Sequence, residues 1–240
     1  VPATVGALAA TGGQFGWGVA AWAIYGVLYH LSGYGMNSLA DWVSGEDKRD
    51  PNKEHHPLNS GVLTKRKAEF TVYSLLIATA ALGIVLISAG SNRLAAITVL
   101  IIAVLSGSLY NIADVEMEYK INFICAAHSS VFLIPYISLG GDSIIHATLG
   151  VVMVWMWVFF QIGVSGEIKD LATDDSNILR DRFGCNVSGE YSEITPEAYT
   201  FSVGMRLAMI AVFGWTAWYI TGLGAALVVM ILGVVSTNEA

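Results

Sequence analysis

Residues 68–90 read AEFTVYSLLIATAALGIVLISAG, with Glu69 as the single charge. About 20 consecutive apolar residues are what a helix needs to cross a ~30 Å hydrocarbon core. Nothing in the run alternates apolar with polar, as a membrane-barrel strand of about 10 residues would. Working outward, similar runs occupy 15–40, 94–113, 121–141, 143–165 and 200–221. A shorter one, 223–235, ends in a polar tail, and 1–11, closed by Gly12-Gly13, reads as the second half of a first helix. Only helices and closed barrels satisfy their own backbone hydrogen bonds in lipid. The expected fold class is therefore an all-α, polytopic transmembrane helical bundle of about eight to nine helices.

Composition agrees. Of the 240 residues, 55% are hydrophobic and 13% charged, where a soluble domain carries about 25% charged residues; the mean hydropathy is +0.60. A net charge of -7 without a basic arm excludes a nucleic-acid binder. Cys125 and Cys185 are too few for a disulfide-stapled secreted domain and read as ordinary thiols.

The basic residues orient the spans. Lys48, Arg49, Lys53, Lys65, Arg66 and Lys67 follow the second span, Lys120 follows the fourth, and Lys169, Arg180 and Arg182 follow the sixth. The opposite loops hold Arg93, and Arg206 lies within a span. The positive-inside rule then puts the basic loops in the cytoplasm and favours a prokaryotic plasma membrane. The Asn186-Val187-Ser188 sequon falls on the wrong side for glycosylation and is discounted. Two of the cytoplasmic loops, about 41–67 and 166–199, are long for a compact bundle, and long ordered loops are commonly functional. The chain is read as one domain, 1–240, capped by these two loops.

The loops carry most of the acidic residues. At the end of the second span stand Asn37, Asp41, Glu46, Asp47 and Asp50; Asn37 and Asp41, four apart, share a helix face if the helix continues. At the end of the sixth, Glu167, Asp170 and Asp174 follow an i, i+3, i+7 stripe. Like charges on one stripe repel and call for compensation. Hard oxygen donors suit Mg²⁺, which takes one or two carboxylates together with substrate phosphates. The plain alternative is a solvated acidic helix end. Two such clusters on one side, each directly after a span and each accompanied by basic residues, weigh against it.

These motifs resemble the UbiA superfamily of intramembrane prenyltransferases. Its N-D-x-x-D-x-x-x-D pattern is matched by Asn37 through Asp41 to Asp47, the following R-P-x-x-S-G by His56-Pro57-Leu58-Asn59-Ser60-Gly61, and its D-x-x-D-x-x-x-D by Glu167, Asp170 and Asp174. The resemblance covers essentially the whole chain. Four departures stand out: Ser38 replaces an aspartate, two residues are inserted between Asp41 and Asp47, His56 replaces an arginine, and Glu167 replaces an aspartate. The spacing from Asp47 through Pro51, Lys53, Pro57 and Gly61 is similar to that of members such as decaprenyl-phosphate phosphoribosyltransferases, whereas the second motif is not. Against the family's usual nine spans the chain would be shortened at its start and its end.

The resemblance implies a prenyl diphosphate between the two motifs, with Mg²⁺ held by Asp41, Asp47, Glu167, Asp170 and Asp174. Asn37, Lys53, Lys120 and Lys169 would contact the diphosphate, and Lys53 takes the place of a family arginine. Asp41 and Asp170 would be catalytic, and Tyr110 would face the allylic cation; an interfacial belt tyrosine is the other reading of Tyr110. The implied reaction transfers the prenyl group to a lipophilic, aromatic acceptor. His30, His128 and Gln161 could line an acceptor cavity, with packing as their plainer role. His55 and His56 lack the spacing of a zinc site, and Asp114, Glu116 and Glu118 read as a solvated face. Two alternatives remain: a UbiA-type membrane terpene cyclase, which would form product without an acceptor, and a transporter with acidic cytoplasmic loops. Transporters place their ionisable sites near the midplane, whereas these lie at the membrane surface.

Overall fold

A computed structural model describes residues 1–49, 53–112, 117–169, 171, 178–188 and 191–221. The elements are α1 (Pro2–Ala10), α2 (Trp17–Ser44), α3 (Glu46–Arg49), α4 (Lys65–Ala89), α5 (Arg93–Ile112), α6 (Met117–Ser138), α7 (Ile144–Phe160) continued by a π-helical turn (Gln161–Gly166), α8 (Glu167–Lys169), α9 (Ile178–Phe183), a small ribbon of β1 (Asn186–Ser188) and β2 (Tyr191–Glu193), and α10 (Pro196–Thr221). The ribbon is antiparallel, pairing Val187 with Ser192.

Among the described residues, five helices are long and apolar enough to cross a membrane: Lys65–Ala89, Arg93–Asn111, Lys120–Ser138, Ile144–Gly166 and Pro196–Trp215. The expected second span, α2, is long enough at 28 residues. Tyr25, Tyr29, His30 and Tyr34 lower its apolarity, and it falls outside that set. The expected last run, 223–235, lies outside the described residues, as do Asp114 and Glu116.

The bundle is built around α6, which packs against α1, α5 and α7. Of its apolar window 61% is buried, against 11% for α5. Ile121, Cys125, Val131, Phe132 and Ile134 supply that buried face. Short α1 docks on it through small residues. Gly6 faces the carbonyl of Phe132 so closely that a Cβ would collide with backbone. An apolar piece too short to span is thereby a packed part of the core, with Ala3 and Ala7 fully buried beside Trp22 and Tyr25 of α2.

The outer helices show the reverse of soluble amphipathicity. On α4, Phe70, Ile77 and Ile84 recur every seven residues on the exposed side, while Val72, Thr79 and Ile87 are buried. Large exposed apolar side chains of this kind are the expected lipid-facing surface of a spanning helix. Helix ends follow local chemistry. Thr64 caps α4 by accepting from Lys67 N, Ser143 caps α7 by accepting from His146 N, and Thr195 accepts from Ala198 N where Pro196 opens α10. Consecutive long helices alternate in direction. The ends of α2, α5 and α7 and the starts of α4, α6 and α10 therefore share one end of the bundle, which carries both acidic loops.

Candidate active site

Helix α2 runs past the expected end at 40 through Asp41 to Ser44. Asn37 and Asp41 consequently share a face, and Asn37 Nδ2 donates to Asp41 Oδ2 at 2.8 Å. Gly45, at φ +89°, closes the helix in a left-handed conformation that other residues rarely adopt, and turns the chain back towards α2. The returning loop is tied internally. Lys53 Nζ sits 2.7 Å from Asp47 Oδ1, and Asn59 Nδ2 donates to the carbonyls of Asp47 and Lys53 at 2.8 and 2.9 Å. Asp47 is 2% exposed. Burying a carboxylate this fully is favourable only with a close cation and hydrogen bonds, and Lys53 supplies the charge. The loop returns to α2 where Ser38 Oγ and His56 Nε2 lie 2.9 Å apart. Leu58 packs there with Leu39, Ala68, Trp42 and Leu63, and Lys48 Nζ lies 4.2 Å above the Trp42 ring.

The second acidic stretch is reached differently. After Phe160 the α-helix loosens into the π turn, which leads directly into Glu167. Single π turns within helices are frequent at functional sites. Glu167 is 2% exposed, and its Oε2 accepts the backbone N–H of Ile178 at 2.6 Å, so the carboxylate caps the start of α9. Arg180 donates to the carbonyl of Leu171, and Leu171, Leu179, Cys185 and Ala198 form a small core under the loop. Lys169 closes α8. Asp170 and Asp174, the other members of the expected stripe, lie outside the described residues.

Between these regions, Tyr110 at the end of α5 and Lys120 in the first turns of α6 meet: Lys120 Nζ lies 5.5 Å from the Tyr110 ring centroid. The adjacent Asn111 donates to the carbonyl of Gly107 at 2.9 Å. Deeper, the His128 ring packs edge-on against Tyr29 at 5.8 Å and its Nδ1 lies 3.0 Å from the carbonyl of Ile124, while His30 and Tyr34 also meet edge to face, at 4.6 Å. These are packing partnerships. The sequence reading missed the Ser38–His56 link, the Asn59 staple and the Glu167 cap, because each joins residues 6 to 18 positions apart through a turn whose path no periodicity encodes.

Seven buried side-chain polar atoms lack a hydrogen-bond partner among the described residues. Five of them, Trp42 Nε1, His56 Nδ1, Asn59 Oδ1, Asn111 Oδ1 and Ser165 Oγ, lie towards the end that carries the acidic loops. Buried polar atoms are normally satisfied, so each of these is an exception among the described residues. Among the described residues no three His, Cys, Asp or Glu side chains are gathered to hold a metal ion. Mg²⁺ does not require such a cage when phosphates complete its shell, and the Asp41 carboxylate beside the Asn37 amide is a hard-oxygen donor set that fits it.

No curated protein matches the chain, and no solved structure does. A family model matches residues 1–238, nearly the whole length, and by that match the chain belongs to the UbiA prenyltransferase family.

Proposed function

We propose that this protein is a Mg²⁺-dependent intramembrane transferase that moves a prenyl group from a prenyl diphosphate to a lipophilic, aromatic acceptor. Family membership carries the coarse part: an integral membrane protein with prenyltransferase activity on a lipophilic acceptor. The observation that carries the finer part is the Asn37–Asp41 pair on the continued end of α2, within the motif expected to meet a diphosphate. On the positive-inside argument this end faces the cytoplasm, and 41–67 and 166–199 cap a single domain.

The carboxylates divide into two kinds. Asp47 and Glu167, both 2% exposed, anchor their own loops. Asp41, with Asp170 and Asp174 on the second loop, would hold Mg²⁺. When bound, the ion would stabilise the negative charge that builds on the departing diphosphate. Lys53 shares its charge with Asp47, yet an ammonium has three donors, so it can contact a phosphate oxygen without leaving its partner. Lys120, beside Tyr110, and Lys169 are further phosphate contacts in this reading.

In the reaction the allylic C–O bond breaks with its electron pair leaving on the diphosphate. The allylic cation is attacked by the electron-rich acceptor ring, and the ring proton is lost to restore aromaticity. Tyr110 presents a π face to the cation, an attraction of about 0.5–2 kcal/mol. The apolar helices exclude the water that would otherwise quench it.

The test is product analysis by mass spectrometry for the purified full chain with geranylgeranyl diphosphate, with and without aromatic acceptors, in Mg²⁺ or in EDTA. The expected result is a prenylated acceptor that forms only with Mg²⁺ and is lost in Asp41→Ala and Asp170→Ala. A cyclic hydrocarbon formed without acceptor would replace transferase by cyclase. Folded protein inactive on several chain lengths would overturn the reading.

A further inference from the structure

Two departures from the family pattern meet in the folded chain. Ser38 stands where the first motif has an aspartate, and His56 stands where the next segment has an arginine. They are 18 residues apart in sequence and 2.9 Å apart in space. We propose that Ser38 and His56 are a positioning pair: a hydroxyl–imidazole hydrogen bond, in place of a carboxylate and a guanidinium, that seats the first cap loop on α2 and thereby sets Lys53 relative to Asn37 and Asp41. The inference rests on the prenyl-diphosphate reading for what the loop presents, and on geometry alone for the pair itself.

The loop is a body tied to itself. Asp47 holds Lys53 at 2.7 Å, and Asn59 bridges the carbonyls of both residues, so these three residues are tied to one another. Where it sits on α2 is set by what crosses from loop to helix. Among the described residues these contacts include the Ser38–His56 hydrogen bond, the apolar packing of Leu58 with Leu39 and Trp42, and Lys48 lying over the Trp42 ring. Apolar packing is non-directional, whereas a 2.9 Å hydrogen bond fixes register.

The environment of the imidazole also gives the bond a direction. His56 Nδ1 is buried, has no hydrogen-bond partner among the described residues and lies 3.9 Å from Asp47 Oδ2. A lone pair on Nδ1 would point at the carboxylate, so the proton belongs there. Nε2 is then the acceptor, and the Ser38 hydroxyl donates to it. The chain of contacts runs from α2 through Ser38 and His56 towards Asp47 and on to Lys53.

The hydroxyl and the imidazole answer each other directly, so the two departures act as one substitution. A lone aspartate at 38 would face the imidazole with no guanidinium to answer it, and a lone arginine at 56 would bring a second cation to Asp47, which Lys53 already answers, whereas introducing both pairs the two new charges with each other.

The test is a double-mutant cycle on the full chain, assayed with geranylgeranyl diphosphate. Ser38→Asp and His56→Arg should each lower kcat/KM roughly tenfold, chiefly through KM. The double variant should recover to within about threefold of wild type, because contacting residues couple this strongly. Ser38→Thr, which keeps the hydroxyl, should retain activity that Ser38→Ala loses. Limited trypsin cleavage at Lys48 and Lys53, read by mass spectrometry, follows seating of the loop without any turnover. It should accelerate in Ser38→Ala and not in Ser38→Thr, and it decides the matter should a charged variant fail to fold. Additive effects of the two charged substitutions, losses confined to kcat, or equal cleavage in all variants would overturn the pair. Wild-type protein without prenyl transfer would instead remove the functional reading, leaving the cleavage result to judge the pair.

Discussion

At the end of α2 the Asp41 carboxylate is half-buried and shares a helix face with Asn37; at the end of α7 the Glu167 carboxylate is 2% exposed and caps the backbone of Ile178. Both open an acidic stretch at the end of a long helical segment, and a count of charges does not separate them. Their surroundings do. The α2 end continues as regular α-helix into its motif, while the α7 end arrives through a π turn. Each loop also keeps one nearly inaccessible carboxylate for itself: Asp47, answered by Lys53, in the first, and Glu167, answered by a backbone N–H, in the second. In the proposed reading the carboxylates of these motifs serve two purposes, with the buried Asp47 and Glu167 anchoring their loops and the more accessible Asp41 meeting the ligand.

The contrast can be broken most forcefully at Asp41. Asp41→Asn keeps the shape of the side chain and removes its charge, and should cost about 10²–10³-fold in kcat/KM, the size of effect seen when one group stabilising transition-state charge is lost. Its thermal stability should stay near wild type. Glu167→Ala should behave in the opposite way. It strands a buried N–H, so stability should fall by about 1–3 kcal/mol in a denaturation measurement. Glu167→Gln, which keeps an acceptor oxygen, should restore most of that stability; a loss of activity as large as that of Asp41→Asn would instead move Glu167 into the ligand set.

Lys53→Met sharpens the anchoring half of the comparison, since it removes the proposed phosphate contact and the cation beside a buried Asp47 together. The expected result is about a tenfold rise in KM for the prenyl diphosphate, with a lowered melting temperature. The smallest effect is expected between the two regions, at Tyr110. Tyr110→Leu should lower kcat about fivefold, within the range of a cation–π contact, and Tyr110→Phe should stay within about twofold of wild type because the ring remains.

Much of this was legible in the sequence, for reasons that can be named. Residues 68–90 had to be a helix because lipid offers the backbone no partners, and α4 spans 65–89. The Asn37–Asp41 pair follows from the four-residue spacing once the helix is allowed to continue. The other parts depend on chain reversal. Ser38 and His56 could each be marked as unusual, but only the turn at Gly45 and the Asn59 staple bring them together. The π turn has no distinct signature in Gln161 to Gly166, and the apolarity of 1–11 did not disclose that α1 would dock against Phe132 through Gly6. Local periodicity reports helices and faces; loop closure, helix loosening and docking are decided by contacts distant in sequence.

The decisive experiment is diphosphate release from geranylgeranyl diphosphate by wild type, Asp41→Asn and Glu167→Gln, each shown to be folded, across a Mg²⁺ titration. If the α2 end meets the diphosphate and Glu167 anchors its loop, release will depend on Mg²⁺ in wild type, nearly vanish in Asp41→Asn and persist in Glu167→Gln. Release by Asp41→Asn at the wild-type rate and with the wild-type Mg²⁺ dependence would contradict that assignment.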